Sequence, residues 1–234
     1  MLWPSVDAHA WQWHGDTAAA RALQRQLAER VQLTPDLTAP RLIAGVDVGF
    51  EDGGQTTRAV AVLMDFATLT PLTHVLVRQP TCMPYIPGLL SFRELPALLA
   101  ALQQLPERPD VIMADGQGIA HPRRLGIAAH LGVVLDCPAF GVAKTILTGQ
   151  HSELPNEKGA HVPLLSREGD TLGAVLRSRT GVKPLIISPG HRVTVDQALA
   201  WTQACLTRYR LPEPTRWADR IASMREERAR ARQS

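Results

Sequence analysis

The sequence predicts an α/β protein built on a mixed sheet. Three apolar runs rich in β-branched residues follow one another between residues 41 and 80, with short turn-forming connectors between them. After them, helical patterns alternate with short apolar strands as far as residue 144. Short connectors join antiparallel neighbours, whereas an alternation of strand and helix joins parallel ones. We therefore expect antiparallel strands first and parallel strands next, with helices covering the sheet.

The elements can be assigned in order along the chain. Asp16 is an N-cap residue, and Leu23, Leu27 and Val31 recur after it at helical spacing, so a first amphipathic helix is predicted over residues 17–33. The three strands that follow are "RLIAGVDVGF", "TRAVAVLMDF" and "LTHVLVRQP". We expect them to form an antiparallel meander.

The next elements are helices and buried strands. A helix is predicted in "PALLAALQQL", with Pro96 in its first turn, and it should cross one face of the sheet. The strand "DVIMADGQG" ends at Asp115, and a helix over "HPRRLGIAAHLGVVL" and a strand over "PAFGVAK" follow it. Two more strands, "TLGAVLRSR" and "PLIISPG", precede a helix in "TVDQALAWTQACL", where Thr194 and Gln197 form a capping box.

This order of elements is that of a ribonuclease H-like fold, in which a mixed sheet of three antiparallel strands, then parallel strands, is flanked by helices. The first strand is then central, and the fourth lies beside it in parallel. Asp47, midway along the first strand, is thereby brought near Asp115 at the carboxyl end of the fourth. Open α/β sheets place their sites at that edge.

Length and composition suit one compact domain. The chain has 234 residues, of which 45% are hydrophobic, and a formal net charge of +3. We expect a single domain over residues 1–234, with an N-terminal helical segment at 1–40 and a basic tail at 224–234. The charge permits a polyanionic partner without requiring one. The tail alone is weak support, because a terminal charge run is typically a solvated helix end.

The cysteines and the apolar runs bear on the cellular compartment. Cys82, Cys137 and Cys205 lie far apart and lack the spacing of a zinc site, which is typical of core thiols in a reducing compartment. No apolar run reaches the roughly 18 residues that span a bilayer, and the N-terminus lacks a long apolar signal segment. We expect a cytoplasmic monomer with no membrane partner.

Three carboxylates are candidate metal ligands. Asp47 interrupts an apolar strand between Gly45 and Gly49, where a buried charge needs either an ion pair or a metal ion. Asp115 also fits an ordinary turn, and Glu94 also fits a solvated helix start. Three carboxylates around one strand end, without a His/Cys ligand set, favour Mg²⁺ or Mn²⁺. Such sites hold a phosphate and activate water.

Basic residues are predicted near the same strand ends. Lys144 ends the "FGVAK" strand, and His121, Arg123 and Arg124 follow the Asp115 turn at the predicted start of the next helix. A helix start attracts anions. Each of these side chains also fits a solvated surface position. Their common location favours contacts with a phosphate.

Six segments resemble the endonuclease V family of repair nucleases, which act on deaminated purines. They are "AGVDVGFEDGG", "MPYIPGLLSFRE", "DGQGIAHPRRLGIAAHLG", "GVAK", "SPGHRVTVDQALAW" and "YRLPEPTRWAD", and they occur in the family's order between about residues 41 and 219. The resemblance implies that Asp47, Glu94 and Asp115 are metal-binding catalytic carboxylates. It implies that His121 and Lys144 are basic residues lining the active site.

The resemblance also implies how a damaged base is recognised. Tyr85 matches a wedge that enters the duplex at the lesion, and its neighbours Pro84, Ile86 and Pro87 stiffen the loop. Positions matching the pocket for the flipped base are Gly88, Leu90, Gly116 and Ile127. Position 117 is Gln where some members of the family have His, so no role is assigned there.

The activity that the resemblance implies is that of a Mg²⁺-dependent endodeoxyribonuclease, with Mn²⁺ as a substitute. It would flip hypoxanthine out of double- or single-stranded damaged DNA. It would then cut the second phosphodiester bond on the 3′ side, leaving 3′-hydroxyl and 5′-phosphate ends. Alternatives are an endoribonuclease for inosine-containing RNA and another structure-selective nuclease of this fold.

Two other classes are disfavoured. "GVDVGFEDGG" also resembles the phosphate-facing strand of sugar kinases and actin-type ATPases, but these proteins need two lobes and a far longer chain. A non-catalytic nucleic-acid-binding module would not require all three carboxylates.

Overall fold

The computed structural model describes Trp3, residues 6–35 and residues 37–230, with side chains as far as residue 223. The described helices are α1 (Thr17–Ala28), α2 (Leu90–Gln103), α3 (Ile127–Leu135), α4 (Val195–Ala204) and α5 (Glu213–Arg230), with short 3-10 helices at Ala8–Ala10 and Asp52–Gly54. The strands are β1 (Leu42–Glu51), β2 (Thr56–Asp65), β3 (Pro71–Pro80), β4 (Val111–Ala114), β5 (Ala139–Ala143), β6 (His161–Leu165), β7 (Thr171–Leu176) and β8 (Leu185–His191).

All eight strands belong to one mixed sheet in the order β3-β2-β1-β4-β5-β8-β7-β6. β1, β2 and β3 pair as an antiparallel meander, and β4 lies parallel to both β1 and β5. The predicted α/β fold and the adjacency of the first and fourth strands are therefore confirmed. Beyond β5 the sheet continues with antiparallel pairs, and it includes β6, a short strand that was not predicted.

Helices cover both faces of the sheet. Ala44 and Val46 of β1 belong to the core beneath α2 and α3, whereas Ile43 belongs to the core beneath α4 and α5. Successive side chains of a strand point to opposite faces, so Gly45 and Asp47 share the α5 side. No described helix is both long and apolar enough to cross a lipid bilayer.

Two predicted helix caps are confirmed. Asp16 accepts hydrogen bonds from the backbone N–H groups of Ala18 and Ala19, although α1 ends at Ala28 rather than at residue 33. Thr194 and Gln197 form the predicted capping box of α4. These interactions are local, which is why the sequence pattern reveals them.

The second helix begins earlier than predicted. α2 starts at Leu90, so Pro96 lies inside the helix rather than in its first turn. A proline has no N–H to donate to the carbonyl four residues earlier, which here is that of Phe92. The Cys82 thiol lies 3.5 Å from that carbonyl oxygen and donates to it. A contact from the preceding loop thus replaces the missing helical hydrogen bond.

The third helix begins later than predicted. Residues 121–124 form a turn, and α3 starts only at Ile127. Arg124 has a φ of 58°, a left-handed conformation that ends a helix, and its N–H donates to the His121 carbonyl. His121, Arg123 and Arg124 therefore lie on a loop, not on a helix start.

α5 lies unusually close to the centre of the sheet. A β-carbon added to Gly45 would lie 2.1 Å from the carbonyl oxygen of Pro214, the second residue of α5. Only a glycine permits this approach. The predicted basic tail at 224–234 begins within α5, and its residues 231–234 lie outside the described part.

We expect Gly45→Ala to lower the free energy of unfolding by about 3 kcal/mol, because the new methyl group would force α5 away from β1. Urea denaturation measures this change. Gly49→Ala on the same strand is the matched control, since its methyl group would approach the end of the Arg58 side chain, at 2.9 Å, rather than a backbone. Equal stability of the two variants would contradict the close approach.

Candidate active site

Three aspartate side chains converge at one edge of the sheet. Asp47 lies in the middle of β1, Asp115 follows the last residue of β4, and Asp219 lies on α5. Val46 of β1 is paired with Ala114 of β4. Asp47 follows the first of these residues and Asp115 follows the second, so the two aspartates lie side by side. One carboxylate oxygen from each aspartate lies within 4.8 Å of the other two. A hard divalent cation prefers such a set of oxygen ligands.

Asp219 is not among the carboxylates predicted from the sequence. It ends the segment "YRLPEPTRWAD", which contributes to the family resemblance, but its local pattern is that of any charged residue on a helix. The close approach of Pro214 to Gly45 brings α5 to β1 and thus Asp219 to Asp47. This contact depends on tertiary packing.

The aspartates are difficult to ionise together. Burial, followed by the charge of Asp115, raises the pKa of Asp47 to about 7. Burial likewise raises the pKa of Asp115, and the charge of Asp219 adds to the shift. Like charges in a partly enclosed space repel one another, so a bound cation would relieve the repulsion.

Glu94 reaches the same place from α2. It lines a cavity of about 140 Å³ together with Asp47 and Asp115, although it is outside the group of three within 4.8 Å. Burial, then the charges of Asp47 and Asp115, raises the pKa of Glu94 to about 8. The structure therefore brings the three predicted carboxylates together and adds Asp219 to them.

Lys144 and Gln117 connect the loops that follow β4 and β5. Lys144 Nζ lies 2.6 Å from Asp115 and 3.3 Å from Asp219. Burial lowers the pKa of Lys144, but these carboxylates outweigh burial and the net shift is upward. The Gln117 side-chain amide donates to the Thr145 carbonyl at 2.8 Å. Lys144 is thus a charged neighbour of the carboxylates, and Gln117 links the two loops.

A second cavity of about 300 Å³ adjoins the carboxylates. The predicted site residues that line it are Tyr85, Gly88, Leu90, Glu94, Asp115, Gly116, His121, Ile127 and Lys144. Its volume is at the lower end of the range for small-molecule pockets. Glu94, Asp115 and Ile127 line both cavities. A group held in the larger cavity would therefore lie directly beside the carboxylates.

The proline-rich loop has buried anchors and an exposed tip. Met83 and Leu89 are 4% and 0% exposed, and both belong to a small core with Phe92 of α2. Tyr85 between them is 63% exposed. The prolines beside it, Pro84 and Pro87, are exposed as well, and Ile86 is half-buried. The ring of Tyr85 is thus presented at the rim of the cavity on a loop fixed at both ends.

The Gly88 carbonyl connects this loop to two other segments. Gln24 of α1, only 1% exposed, donates its amide to the carbonyls of Gly88 and Leu125, at 3.1 and 3.0 Å. Arg123 donates to the Gly88 carbonyl at 2.7 Å and also to the Gln24 side chain. Gly88 itself has a φ of 79°, which favours glycine. Sequence reasoning gave Gln24 no role, because the contact joins residues 64 positions apart.

The basic residues of the 121–124 loop have different surroundings. Burial, then the charge of Arg123, lowers the pKa of His121 to about 4, so its ring is neutral at pH 7. The Arg123 N–H donates to His121 Nδ1, which leaves the proton on Nε2. Arg124 forms an ion pair with Asp170 at 3.0 Å. Of these three side chains, only His121 lines the 300 Å³ cavity, so the predicted phosphate contacts of the two arginines gain no support.

Comparison with known proteins identifies a single family. The model of the family named Endonuclease V matches residues 25–220. Endonuclease V of Azotobacter vinelandii is 63% identical over 213 residues, which cover 91% of this chain and 96% of that relative. Endonuclease V of Xanthomonas campestris is 58% identical over 224 residues, which cover 95% and 94% of the two chains.

Solved structures agree with these matches. The crystal structure of an endonuclease V from Streptomyces avermitilis is similar with a TM-score of 0.86 and 42% identity, covering 93% of this chain and 96% of that one. A Ciona intestinalis endonuclease V, 23% identical with a TM-score of 0.80, covers 91% of this chain and 97% of that one, and shares the fold. That protein was crystallised with a DNA 23mer containing an inosine followed by a riboadenosine.

We expect Asp47→Asn to stabilise the metal-free protein at pH 8 by about 1–3 kcal/mol, because the amide removes a charge that is buried and is repelled by Asp115. The pKa of Asp47 is about 7 when folded and about 3.9 when unfolded. The folded wild type therefore binds more protons and loses stability as the pH rises from about 4 to 7.

Urea denaturation at pH 5 and pH 8, in the presence of a chelator, measures this difference. The gain of Asp47→Asn over wild type should shrink towards pH 5. Glu157→Gln, at an exposed position, is the control and should show no such trend. An Asp47→Asn gain that is the same at both pH values would contradict the raised pKa of Asp47.

We expect Gln24→Ala to lower the free energy of unfolding by about 2 kcal/mol, because the Leu125 carbonyl loses its side-chain donor and the Gly88 carbonyl loses one of its donors. Hydrogen exchange of residues 84–89 should become faster. Gln104→Ala is the control, since that amide bonds only within its own helix. Unchanged exchange in Gln24→Ala would show that α1 does not hold the loop.

Proposed function

The chain belongs to the endonuclease V family, and on that premise we propose that it is a Mg²⁺-dependent endodeoxyribonuclease for deaminated DNA. Its substrate is single- or double-stranded DNA containing hypoxanthine. It cuts the second phosphodiester bond on the 3′ side of the lesion and leaves 3′-hydroxyl and 5′-phosphate ends. One observation supports this proposal above the others: Glu94 and Asp115 line both the carboxylate cavity and the adjoining cavity.

The 300 Å³ cavity is proposed to receive the flipped base. Gly88, Leu90, Gly116 and Ile127 line it, so backbone groups are close enough to contact a base directly. Hypoxanthine has a carbonyl oxygen and a protonated ring N1 where adenine has an amine and a bare N1. A backbone N–H can donate to the carbonyl oxygen of hypoxanthine, and a backbone carbonyl can accept from its N1. Adenine would leave both backbone groups unpaired, so hypoxanthine is favoured.

Tyr85 is proposed to fill the gap in the duplex. Extruding a base requires a few kcal/mol for unstacking. An aromatic ring inserted in its place restores stacking on one side. The 63% exposure of Tyr85 and the buried anchors Met83 and Leu89 support this role, since the ring is free while its backbone is held.

Asp47, Asp115 and Asp219 would hold the divalent cation, with Glu94 beside them. The donor set is all oxygen, and burial together with like charge raises the pKa values of these carboxyl groups although Lys144 lies beside them, so the residues fit Mg²⁺, with Mn²⁺ as a substitute. When bound, such an ion neutralises phosphate charge and makes a coordinated water more acidic.

Lys144 and His121 are proposed to act on the phosphate side. Lys144 carries a full positive charge at pH 7, because the carboxylates raise its pKa, and it can stabilise negative charge that develops on the phosphate. His121 is neutral at pH 7, carries its proton on Nε2 and is hydrogen-bonded to the Gly88 backbone, so it contributes to this side of the site through hydrogen bonding rather than through a charge. Both residues line the cavity of the flipped base.

A second candidate is cleavage of RNA that contains inosine. The DNA in the Ciona complex places a ribonucleotide directly after the inosine, so a relative of the same fold accommodates a 2′-hydroxyl there. We propose DNA as the main substrate. Matched DNA and RNA strands of identical sequence decide between the two.

The test uses a labelled duplex with one hypoxanthine, the full chain and Mg²⁺. We expect a single nick on the 3′ side of the lesion, none on the matching adenine duplex, and none with a chelator. Asp47→Ala and Asp115→Ala should reduce the rate by at least about 100-fold, because each removes a carboxylate proposed to hold the ion. Glu157→Gln is the control and should cut normally.

Two results would overturn the proposal. One is the absence of a nick near hypoxanthine at high enzyme concentration, and the other is normal cutting by either aspartate variant. A higher rate on the inosine RNA than on the matched DNA would instead favour the second candidate.

A further inference from the structure

Arginine and aromatic side chains form a row at the start of α5. We call the row the arginine ladder, and it consists of Arg208, Tyr209, Arg216, Trp217 and Arg220. The Arg216 guanidinium carbon lies 4.3 Å from the centre of the Tyr209 ring and 5.1 Å from that of Trp217. Arg208 lies 5.0 Å from the Tyr209 ring, and Arg220 lies 5.3 Å from the Trp217 ring.

The ladder lies next to the carboxylates and outside the base cavity. Arg220 directly follows Asp219 in α5, and Arg216 precedes it by three residues. Just before α5, Arg210 donates to the Lys144 carbonyl at 3.3 Å and to the Pro184 carbonyl at 3.0 Å, which ties this segment to the loop after β5. No ladder residue lines the 300 Å³ cavity. Arg216 and Arg220 therefore lie within one helical turn of Asp219 but outside the base cavity.

Two guanidinium groups of the ladder remain available for an anion. Arg216 is held by Glu213, whose carboxylate accepts from its Nε at 3.0 Å. Arg208 and Arg220 are exposed, and neither is paired with a described carboxylate, although Arg208 donates one hydrogen bond to the Tyr209 hydroxyl at 2.8 Å. A guanidinium has five N–H donors, so the donors that Arg208 and Arg220 do not use on the aromatic residues can meet the oxygen atoms of a phosphate. The stacking also restricts the side chain before a ligand arrives.

We propose that the arginine ladder holds the nucleic-acid backbone on the 3′ side of the cleaved bond. This inference rests on the proposed function. With the base in its cavity and the bond to be cut at the carboxylates, the strand continues past Asp219, and the ladder arginines Arg216 and Arg220 lie within one helical turn of that residue. Arg208 and Arg220 bind phosphates there, and Arg216 holds the two rings in place.

The test measures binding in the absence of divalent metal, so that no strand is cut. Fluorescence anisotropy compares the wild type with Arg208→Gln/Arg220→Gln on three hypoxanthine oligonucleotides. The first has twelve nucleotides on each side of the hypoxanthine. The second is shortened to two nucleotides on the 3′ side, and the third is shortened to two nucleotides on the 5′ side. Arg30→Gln/Arg41→Gln is the matched control, because both arginines are exposed and lie at the edge of the sheet where β1 and β5 begin. Arg41 directly precedes β1, and Arg30 lies near His191, which pairs with the first residue of β5. The carboxylates lie at the opposite edge of the sheet.

We expect the ladder variant to bind the long oligonucleotide about tenfold more weakly than the wild type. The salt dependence of its binding should fall by about 0.7 for each single-strand phosphate that the variant no longer binds. On the oligonucleotide shortened at the 3′ side, wild type and variant should bind equally. The tenfold difference should persist when the 5′ side is shortened, and the control variant should match the wild type throughout.

The proposal is overturned if the variant binds the long oligonucleotide as well as the wild type does. It is also overturned if the difference persists after 3′ shortening, or if it disappears on 5′ shortening instead. Nicking of hypoxanthine DNA by the wild type is measured separately. Failure of that assay would count against the proposed function, whereas a nick together with any of these binding results counts against the ladder alone.

Discussion

Electrostatic repulsion among carboxylates is the constraint on which the rest of this structure depends. Asp47, Asp115 and Asp219 come from three different elements, and one oxygen of each lies within 4.8 Å of the others. The raised pKa values of Asp47 and Glu94 show that burial and like charge oppose ionisation. Packing elsewhere must hold these groups together, and Lys144 offsets only part of their charge.

Two packing features meet this requirement. Gly45 lets the backbone of α5 approach β1, which fixes the position of Asp219 relative to Asp47. The parallel pairing of β1 with β4 sets Asp115 beside Asp47. The charged cluster thus depends on the sheet and on one helix start. β1 contributes side chains to the cores on both faces of the sheet, and Ala218 of α5 belongs to one of these cores.

The loop that carries Tyr85 is held by a different means. Its Gly88 carbonyl accepts hydrogen bonds from Gln24 of α1 and from Arg123, and its ends are anchored by Met83 and Leu89. The N-terminal helix, which shows no distinctive motif, is therefore part of the support for the cavity. Arg123 contributes to the same support, although its sequence position favoured a phosphate contact.

The sequence by itself determined the elements whose signals are local. Apolar periodicity predicted the meander, and side-chain caps predicted the starts of α1 and α4. The order of elements predicted that Asp47 and Asp115 meet. The start of α2 was missed because Cys82, from outside the helix, replaces the hydrogen bond that Pro96 cannot make. Only the tertiary structure decided that Asp219 joins the carboxylates and that Gln24 holds the Gly88 carbonyl. Both contacts join residues far apart in the chain, and no local pattern encodes which distant surfaces pack together.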